Sequence, residues 1–202
     1  MSKPKPLRVG PKKVITRKQA IEQYVILRLR AEEIERLDYL LKALHDGRIT
    51  PPNDSPFSSK DLTDTVRTCF FGWLASLTDG NDKALYPFDC LFELFPQTRP
   101  EIIRTQASLD ACSDELQQFR SNVAFHANAK IAAHFQARTK LRGPDVQLDV
   151  QSAVSDFKRL MKTLIAEELE DIPELPNVLL EMRVNHHPAF TRRARQSAIA
   201  AS

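Results

Sequence analysis

Apolar residues near the start of the chain recur at heptad-like spacing, and this spacing restricts the fold more than any other feature. The repeated residues are Leu27, Ile34, Leu37, Leu41 and Leu44. The stripe follows Thr16, a residue type that caps helix N-termini, and precedes Gly47, a residue type that ends helices. We therefore predict a helix from Thr16 to about Asp46. A stripe of under four heptads is typical of one wall of a helical bundle, and a dimeric coiled coil is the alternative.

A second helix is predicted after a proline-rich loop. Ser58 and Asp61 resemble a capping box, with Asp in place of the usual Glu. The helix should run to about Thr78. Its buried stripe is predicted to contain Leu62, Val66, Cys69, Phe70, Trp73 and Leu77.

Another helical segment is predicted from Thr98 and Glu101, which form a second capping-box pattern, to about Lys140. This length is unusual for a globular helix, so we expect a bend or break near residues 105–110. Its apolar stripe is Leu109, Cys112, Leu116, Phe119 and Val123, with His126 on its extension.

The last main helix is predicted to begin at a cap formed by Asp149 and to end before Pro173 and Pro176. Val178 to Met182 would add a short turn. The residues expected to face the core are Val150, Val154, Phe157, Met161 and Leu164.

The overall pattern predicts an all-α fold. Only five glycines occur among 202 residues, and few β-branched runs are present. We expect a helical bundle of four to five main helices plus short helices, with flexible basic tails. One short helix, from Phe88 to Phe95, is so apolar that it must be buried or docked on a partner. The predicted domains are a disordered basic arm (1–15), the bundle (16–172), and a short helix or turn with a disordered Arg-rich tail (173–202).

Charge is distributed unevenly along the chain. Residues 1–18 hold seven Lys and Arg and no acid, and residues 183–202 hold four Arg and no acid. Residues 19–182, the body between these two tails, hold the remaining 18 basic and 26 acidic residues and carry a net charge of −8. The basic tails can bind nucleic-acid phosphates or can serve as solvated ends, and both interpretations stay open. No apolar run approaches the ~20 residues that span a bilayer, so we expect no membrane partner.

The cysteines suggest a reducing compartment. Cys69, Cys90 and Cys112 are odd in number, widely spaced and set among apolar neighbours. We interpret them as reduced core residues of a cytoplasmic protein. No spacing typical of a zinc site is present, and we predict neither a metal nor a cofactor.

The stretch from Gln118 to His126 looks most like a chemical site, because it places polar groups in an apolar run. Arg120 presents a fork of donors that fits phosphate oxygens. His126 titrates near neutrality and can move a proton to or from a ribose hydroxyl or a leaving oxygen. Asn122 lies one helical turn before His126, where its amide can orient the imidazole or the phosphate.

Two considerations keep other interpretations open. A lone histidine on an apolar stripe is often a core residue with one hydrogen bond. Arg120 and His126 are also six residues apart, which places them roughly 120° apart around an ideal helix. Their cooperation would need a local distortion, or a site formed by two chains across a two-fold axis.

The stretch resembles the motif of the HEPN superfamily, in which an arginine is followed four to six residues later by a histidine. Phe119 precedes Arg120, polar Ser121 and Asn122 follow it, and Ala124-Phe125 precede His126, as in the abortive-infection-like branch. The upstream run Phe70-Phe71-Gly72-Trp73-Leu74-Ala75-Ser76-Leu77 with Asp79 is also similar to that branch. The sequence departs from the family at Ser121, where Asn, Asp or His is frequent. The resemblance covers roughly residues 20–170.

The resemblance implies an all-helical homodimer whose motif helices bring two Arg120/His126 pairs to one cleft. It implies a metal-independent endoribonuclease of the defence or toxin type, which leaves a 2′,3′-cyclic phosphate and a 5′-hydroxyl. Arg120 and His126 would be catalytic, and Ser121 and Asn122 would support them or bind RNA. The alternative is a non-catalytic helical module with the same fold that binds RNA or a protein. A neutralising antitoxin or another partner protein also stays open.

Overall fold

The structure, a computed structural model, describes residues 15–52, 54–78, 88–124 and 131–186, and these residues form eight α-helices and no strand. The all-α prediction is confirmed. The helices are α1 (Arg17–His45), α2 (Ser59–Leu77), α3 (Asp89–Leu94), α4 (Arg99–Ala111), α5 (Ser113–Phe119), α6 (Ile131–Leu141), α7 (Pro144–Asp171) and α8 (Leu175–His186). A 3₁₀ turn (Pro96–Thr98) precedes α4, and a π-helical turn (Arg120–Ala124) follows α5.

Helix α1 begins and ends where its sequence predicts. The Thr16 hydroxyl accepts a hydrogen bond from the Gln19 amide, and the Gln19 side chain accepts one from the Thr16 amide. Gly47 has φ +69°, the left-handed conformation that glycine adopts readily after a helix end. Leu27 and Ile34 are buried in the chain's own core. The bundle-wall interpretation is therefore confirmed for this stripe.

Helix α2 has the predicted capping box, since Ser58 and Asp61 exchange hydrogen bonds. Two members of its predicted stripe are wrong. Cys69 is exposed and Trp73 is 38% exposed. Phe71 and Leu74 are buried instead, so the buried face of α2 is rotated away from Cys69 and Trp73 relative to the predicted stripe. Cys69 is accordingly a surface thiol, whereas Cys90 and Cys112 are buried as predicted.

The predicted helix from Thr98 to Lys140 is divided into several elements. Its first break falls at Cys112, just beyond the expected interval of 105–110. The second capping box is wrong. Thr98 lies in the 3₁₀ turn with φ −92° and ψ 12°, makes no side-chain cap bond, and is buried. A capping hydroxyl needs extended backbone geometry to reach the amides of the next turn.

The start of α7 is also corrected. The helix begins at Pro144, whose missing N–H costs nothing in a first turn, so Asp149 is an exposed residue inside the helix and does not cap it. The whole predicted inward stripe, from Val150 to Leu164, is buried. After Ile172 the chain forms the twelve-residue α8, which is longer than the predicted turn and holds Pro176 in its first turn.

The helices pack around one continuous apolar core. Helix α1 contacts α2, α3, α7 and α8, and α4 lies along α7. At the other end α2, α5, α6 and the π-helical turn pack together. The short α3 is buried as predicted, with Phe88 stacked edge-to-face on Phe157 at 6.1 Å between ring centroids. Leu175 of α8 joins this core, so the packed body continues past the predicted domain boundary at residue 172.

The two basic tails lie mostly outside the described residues. The predicted arm 1–15 is described only at Ile15, which packs against the core. The tail beyond His186 and the predicted turn at Asp79 are outside the description as well. Among the helices that are described, none combines the length and apolar character required to cross a membrane.

Candidate functional site

The predicted site begins at a distortion of the helix. Residues Arg120 to Ala124 form a π-helical turn directly after α5. Phe119, which precedes it, is buried and stacks edge-to-face on Phe71 of α2 at 5.4 Å. The turn packs between α2 and α6. Turns of this kind are rare, and when they occur they frequently lie at functional sites. The predicted phosphate-binding residue, Arg120, therefore lies at a local distortion of the helix.

The structure places three of the four predicted site residues on this turn. Arg120 is partly buried and Ser121 is exposed. Asn122 is partly buried, and its Nδ2 donates to the carbonyl oxygen of Gln118 at 2.7 Å. That bond fixes the Asn122 side chain along the turn. His126 lies outside the described residues, so its position relative to Arg120 stays a prediction.

A cleft rich in arginine lies beside this turn. We call it the arginine cleft and define it by Asp64, Arg67, Phe71, Phe119, Arg138 and Arg142. Helix α2 supplies the first three residues and α5 supplies Phe119. Arg138 lies in the last turn of α6, and Arg142 directly follows that helix. Its volume is about 20 Å³, which is room for about one water molecule. The stacked pair of phenylalanines forms its apolar wall.

The ionic contacts of the arginine cleft depend on one carboxylate. Asp64 Oδ1 lies 2.9 Å from an Arg67 guanidinium nitrogen and 3.7 Å from an Arg142 guanidinium nitrogen. The Nε atom of Arg138 is buried, and no hydrogen-bond acceptor for it is found among the described residues. The described residues of the cleft thus hold three guanidinium groups and one carboxylate. On the neighbouring surface Lys140 donates to Gln118 at 3.0 Å, which adds another cation close to the turn.

Sequence reasoning missed this cleft, although a signal for it exists. Residues 116–144 contain five Lys and Arg and no Asp or Glu, in a body that is acidic overall. That acid-free run includes the motif, Arg138, Lys140 and Arg142. The contribution of Arg67 has no local signal, because it depends on the packing of α2 against α5 and α6.

A second groove, of about 370 Å³, lies between α4 and α7 and has a different charge character. Its charged residues are Glu101, Arg104, Asp156, Arg159 and Glu167. Asp156 accepts hydrogen bonds from Ser108 and Arg159. With three acids and two arginines, this groove offers no positive excess for a polyanion.

No group of three or more His, Cys, Asp or Glu is arranged to hold a metal ion within the described ranges. The two buried thiols are poor nucleophiles, because burial raises the pKa of Cys112 to about 12 and raises that of Cys90 as well. Of the two grooves compared above, the arginine cleft is the one with a positive excess, so this cleft and the adjacent Arg120 are our candidates for binding an anion.

Comparison of the chain with protein-family models, with curated proteins and with solved structures gave no significant match. The resemblance to the HEPN superfamily consequently rests on the residues of the motif and stays a prediction.

Proposed function

We propose that the protein is a metal-independent endoribonuclease in which Arg120 binds the scissile phosphate and His126 acts as general acid or base. The observation that supports this most is the position of Arg120. It stands at the head of a π-helical turn, partly exposed, beside a cleft with an excess of guanidinium groups. A phosphodiester would find there a donor fork and a positive field.

The chemistry uses the substrate's own 2′-hydroxyl. His126 as base removes its proton, the 2′-oxygen attacks phosphorus, and the bond from phosphorus to the 5′-oxygen breaks. The leaving 5′-oxygen takes a proton from a histidine acting as acid. The products are a 2′,3′-cyclic phosphate and a 5′-hydroxyl, and Arg120 stabilises the charge that develops on the phosphoryl oxygens. DNA lacks the nucleophile and is not cut.

A homodimer completes this site. Two copies that meet through their motif helices bring two Arg120/His126 pairs to one cleft, so that one histidine can act as base and the other as acid. Ser121 and Asn122 support these residues or bind RNA. The substrate is cytoplasmic RNA, and a neutralising antitoxin is the kind of protein partner that such an activity requires.

The second candidate is a non-catalytic module of the same fold that binds RNA. The arginine cleft favours it specifically, because guanidinium groups bind phosphates without moving a proton. Under this candidate the arginines matter for affinity and His126 matters only for stability.

A cleavage assay on total RNA and purified tRNA, with EDTA present, tests the first candidate. We expect wild type to leave cyclic-phosphate ends, and His126→Ala to reduce the rate by about 10²- to 10⁴-fold, the usual contribution of general acid–base catalysis. Arg120→Ala should give a similar loss. His45→Ala and Arg36→Ala, both exposed on α1, are the matched controls and should cleave like wild type.

Circular dichroism and light scattering would check that each variant keeps its helicity and oligomeric state. Equal cleavage by wild type, His126→Ala and Arg120→Ala would contradict the catalytic roles. RNA binding without cleavage by wild type would favour the second candidate.

A further inference from the structure

The arginine cleft gathers like charges that its own residues do not neutralise. Arg67 and Arg142 both face the same oxygen of Asp64, at 2.9 and 3.7 Å. Arg138 adds a third guanidinium whose buried Nε has no acceptor among the described residues. Cations held this close repel one another, and an anion relieves that repulsion.

The shape of the cleft decides where an anion would sit. About 20 Å³ admits a water molecule and not a phosphate, so the anion sits at the mouth. The side chains of Arg67 and Arg142 are 40% and 59% exposed there, whereas Asp64 is 27% exposed. The donors therefore face the solvent more than the carboxylate does. A guanidinium fork matches two phosphate oxygens, which fits these two arginines to a phosphodiester.

The cleft is continuous with the proposed site. Phe119 forms part of its wall and is bonded directly to Arg120, so their Cα atoms are about 3.8 Å apart. Lys140 of α6 donates a hydrogen bond to Gln118, two residues before Arg120, at 3.0 Å. Because Arg120 directly follows a wall residue of the cleft, one RNA strand is long enough to contact both Arg120 and this mouth.

We infer that Arg67 and Arg142, supported by Arg138, form a second phosphate-binding subsite for single-stranded RNA, beside the phosphate that Arg120 binds. This inference rests on the proposed function for the identity of the strand. The subsite acts in binding and not in proton transfer. It raises affinity for RNA, lowers KM, and leaves kcat to Arg120 and His126.

The test uses the full chain and two probes. Binding is measured by fluorescence anisotropy with a labelled 2′-O-methyl RNA oligonucleotide, which has no free 2′-hydroxyl and cannot be cut. Cleavage is measured with the matching unmodified RNA. The variants are Arg67→Ala/Arg142→Ala and the charge-conserving Arg67→Lys/Arg142→Lys. Arg36→Ala/Arg48→Ala is the matched control, because it removes two exposed arginines, one on α1 and one just after it.

We expect the cleft alanine variant to bind about tenfold more weakly than the control, with KM raised and kcat little changed. The slope of log affinity against log salt should fall by about 0.7 for each phosphate that the variant no longer neutralises. The lysine variant should recover the salt slope, since it keeps the charge, but only part of the affinity, since an ammonium group lacks the guanidinium fork. Circular dichroism and urea unfolding of the alanine variant itself check that its loss of affinity is not caused by misfolding.

Failure of the subsite and failure of the nuclease give different results. If the cleft and control variants cleave RNA normally and have the same affinity and the same salt slope, the subsite is overturned. The proposed nuclease activity then still holds. Absence of cleavage by wild type, with weaker binding only in the cleft variant, supports the subsite and removes the nuclease. Absence of binding by wild type overturns the subsite.

Discussion

The interface between α1 and α7 and the arginine cleft both contain partly buried charges. At the interface each cation has a carboxylate partner, whereas in the cleft the cations outnumber the carboxylates. At the interface, Glu168 is buried and accepts hydrogen bonds from the Tyr24 hydroxyl at 2.8 Å and from Arg28 at 2.6 Å. Farther along, Asp38 pairs with Lys158. Both of these cations cross the interface to a carboxylate. The cleft holds three arginines and one carboxylate, and this carboxylate, Asp64, pairs with two of them.

The balanced interface shows what charges do when they hold a fold. Burial and the hydrogen bond to Glu168 raise the pKa of Tyr24, so its hydroxyl stays a neutral donor over the ordinary pH range. The Tyr24 hydroxyl is hydrogen-bonded to Glu168, a residue 144 positions later in the sequence, so this contact links α1 to α7. In the cleft the donors exceed the acceptors. The interface is thus balanced by groups within the chain, whereas the cleft keeps a positive excess, which is where we propose that an anion binds.

The largest change in stability is expected from Glu168→Ala, which removes the central carboxylate of the interface between α1 and α7. The change leaves the buried Tyr24 hydroxyl without its acceptor and Arg28 without its closest carboxylate. We expect the free energy of unfolding to fall by about 2–4 kcal/mol, since breaking a buried polar network costs more than the network contributes net. Urea unfolding followed by circular dichroism measures it.

Glu167→Ala is the control, because Glu167 is exposed and adjacent on α7. A loss below about 1 kcal/mol for Glu168→Ala, comparable with an exposed carboxylate, would show that the interface is no better balanced than the surface.

The parts of the fold that could be predicted are those that depend on residues close together in the sequence. The Thr16 cap, the Ser58–Asp61 box and the end of α1 at Gly47 depend on residues three or fewer positions from the helix end. The α7 stripe kept its period over four turns, so the repeat itself identified its buried face. The same reasoning was wrong for Trp73, because a residue at the edge of a stripe can lie on either side of it, and packing decides which.

The candidate site was predictable only where it is local. The motif predicts Arg120, Ser121 and Asn122 as site residues, and their roles stay predictions. The apolar period continues through Val123 and gives no sign of the π-helical turn on which they lie. The arginine cleft joins Arg67 to Arg142 across 75 positions, and no spacing rule connects them. It depends on the way Phe71 and Phe119 pack, which is a tertiary outcome.

A smaller effect on stability is expected when low pH protonates Asp38 at the interface between α1 and α7. Burial alone would raise the pKa of Asp38, but hydrogen bonds from Lys158 and Lys42 outweigh it and hold the pKa below its usual 3.8. A carboxyl whose folded-state pKa is depressed stabilises the fold above its unfolded-state pKa, and the contribution is lost as pH falls through the folded-state value. Asp38→Asn should therefore cost about 1 kcal/mol or less near pH 7, and this difference from wild type should shrink below about pH 4.

Urea unfolding at a series of pH values measures the Asp38 effect, and Glu35→Gln, an exposed carboxylate on the same helix, is the control. A difference between wild type and Asp38→Asn that stays constant from pH 7 to about pH 3 would contradict the role of the lysine pairing.

The smallest effect on stability, and the sharpest contrast with Glu168, is expected from Asp64→Asn. The change removes the carboxylate that Arg67 and Arg142 share, but both arginines are exposed enough to be solvated, so unfolding should change by less than about 0.5 kcal/mol. Affinity for the 2′-O-methyl RNA probe should rise by about two- to fivefold, because the anion no longer competes with a fixed carboxylate. Asp54→Asn, exposed in the loop before α2, alters net charge equally and should raise affinity less. If Asp64→Asn instead weakens RNA binding, Asp64 holds the arginines in place for the ligand, and the excess of positive charge is not what the cleft uses.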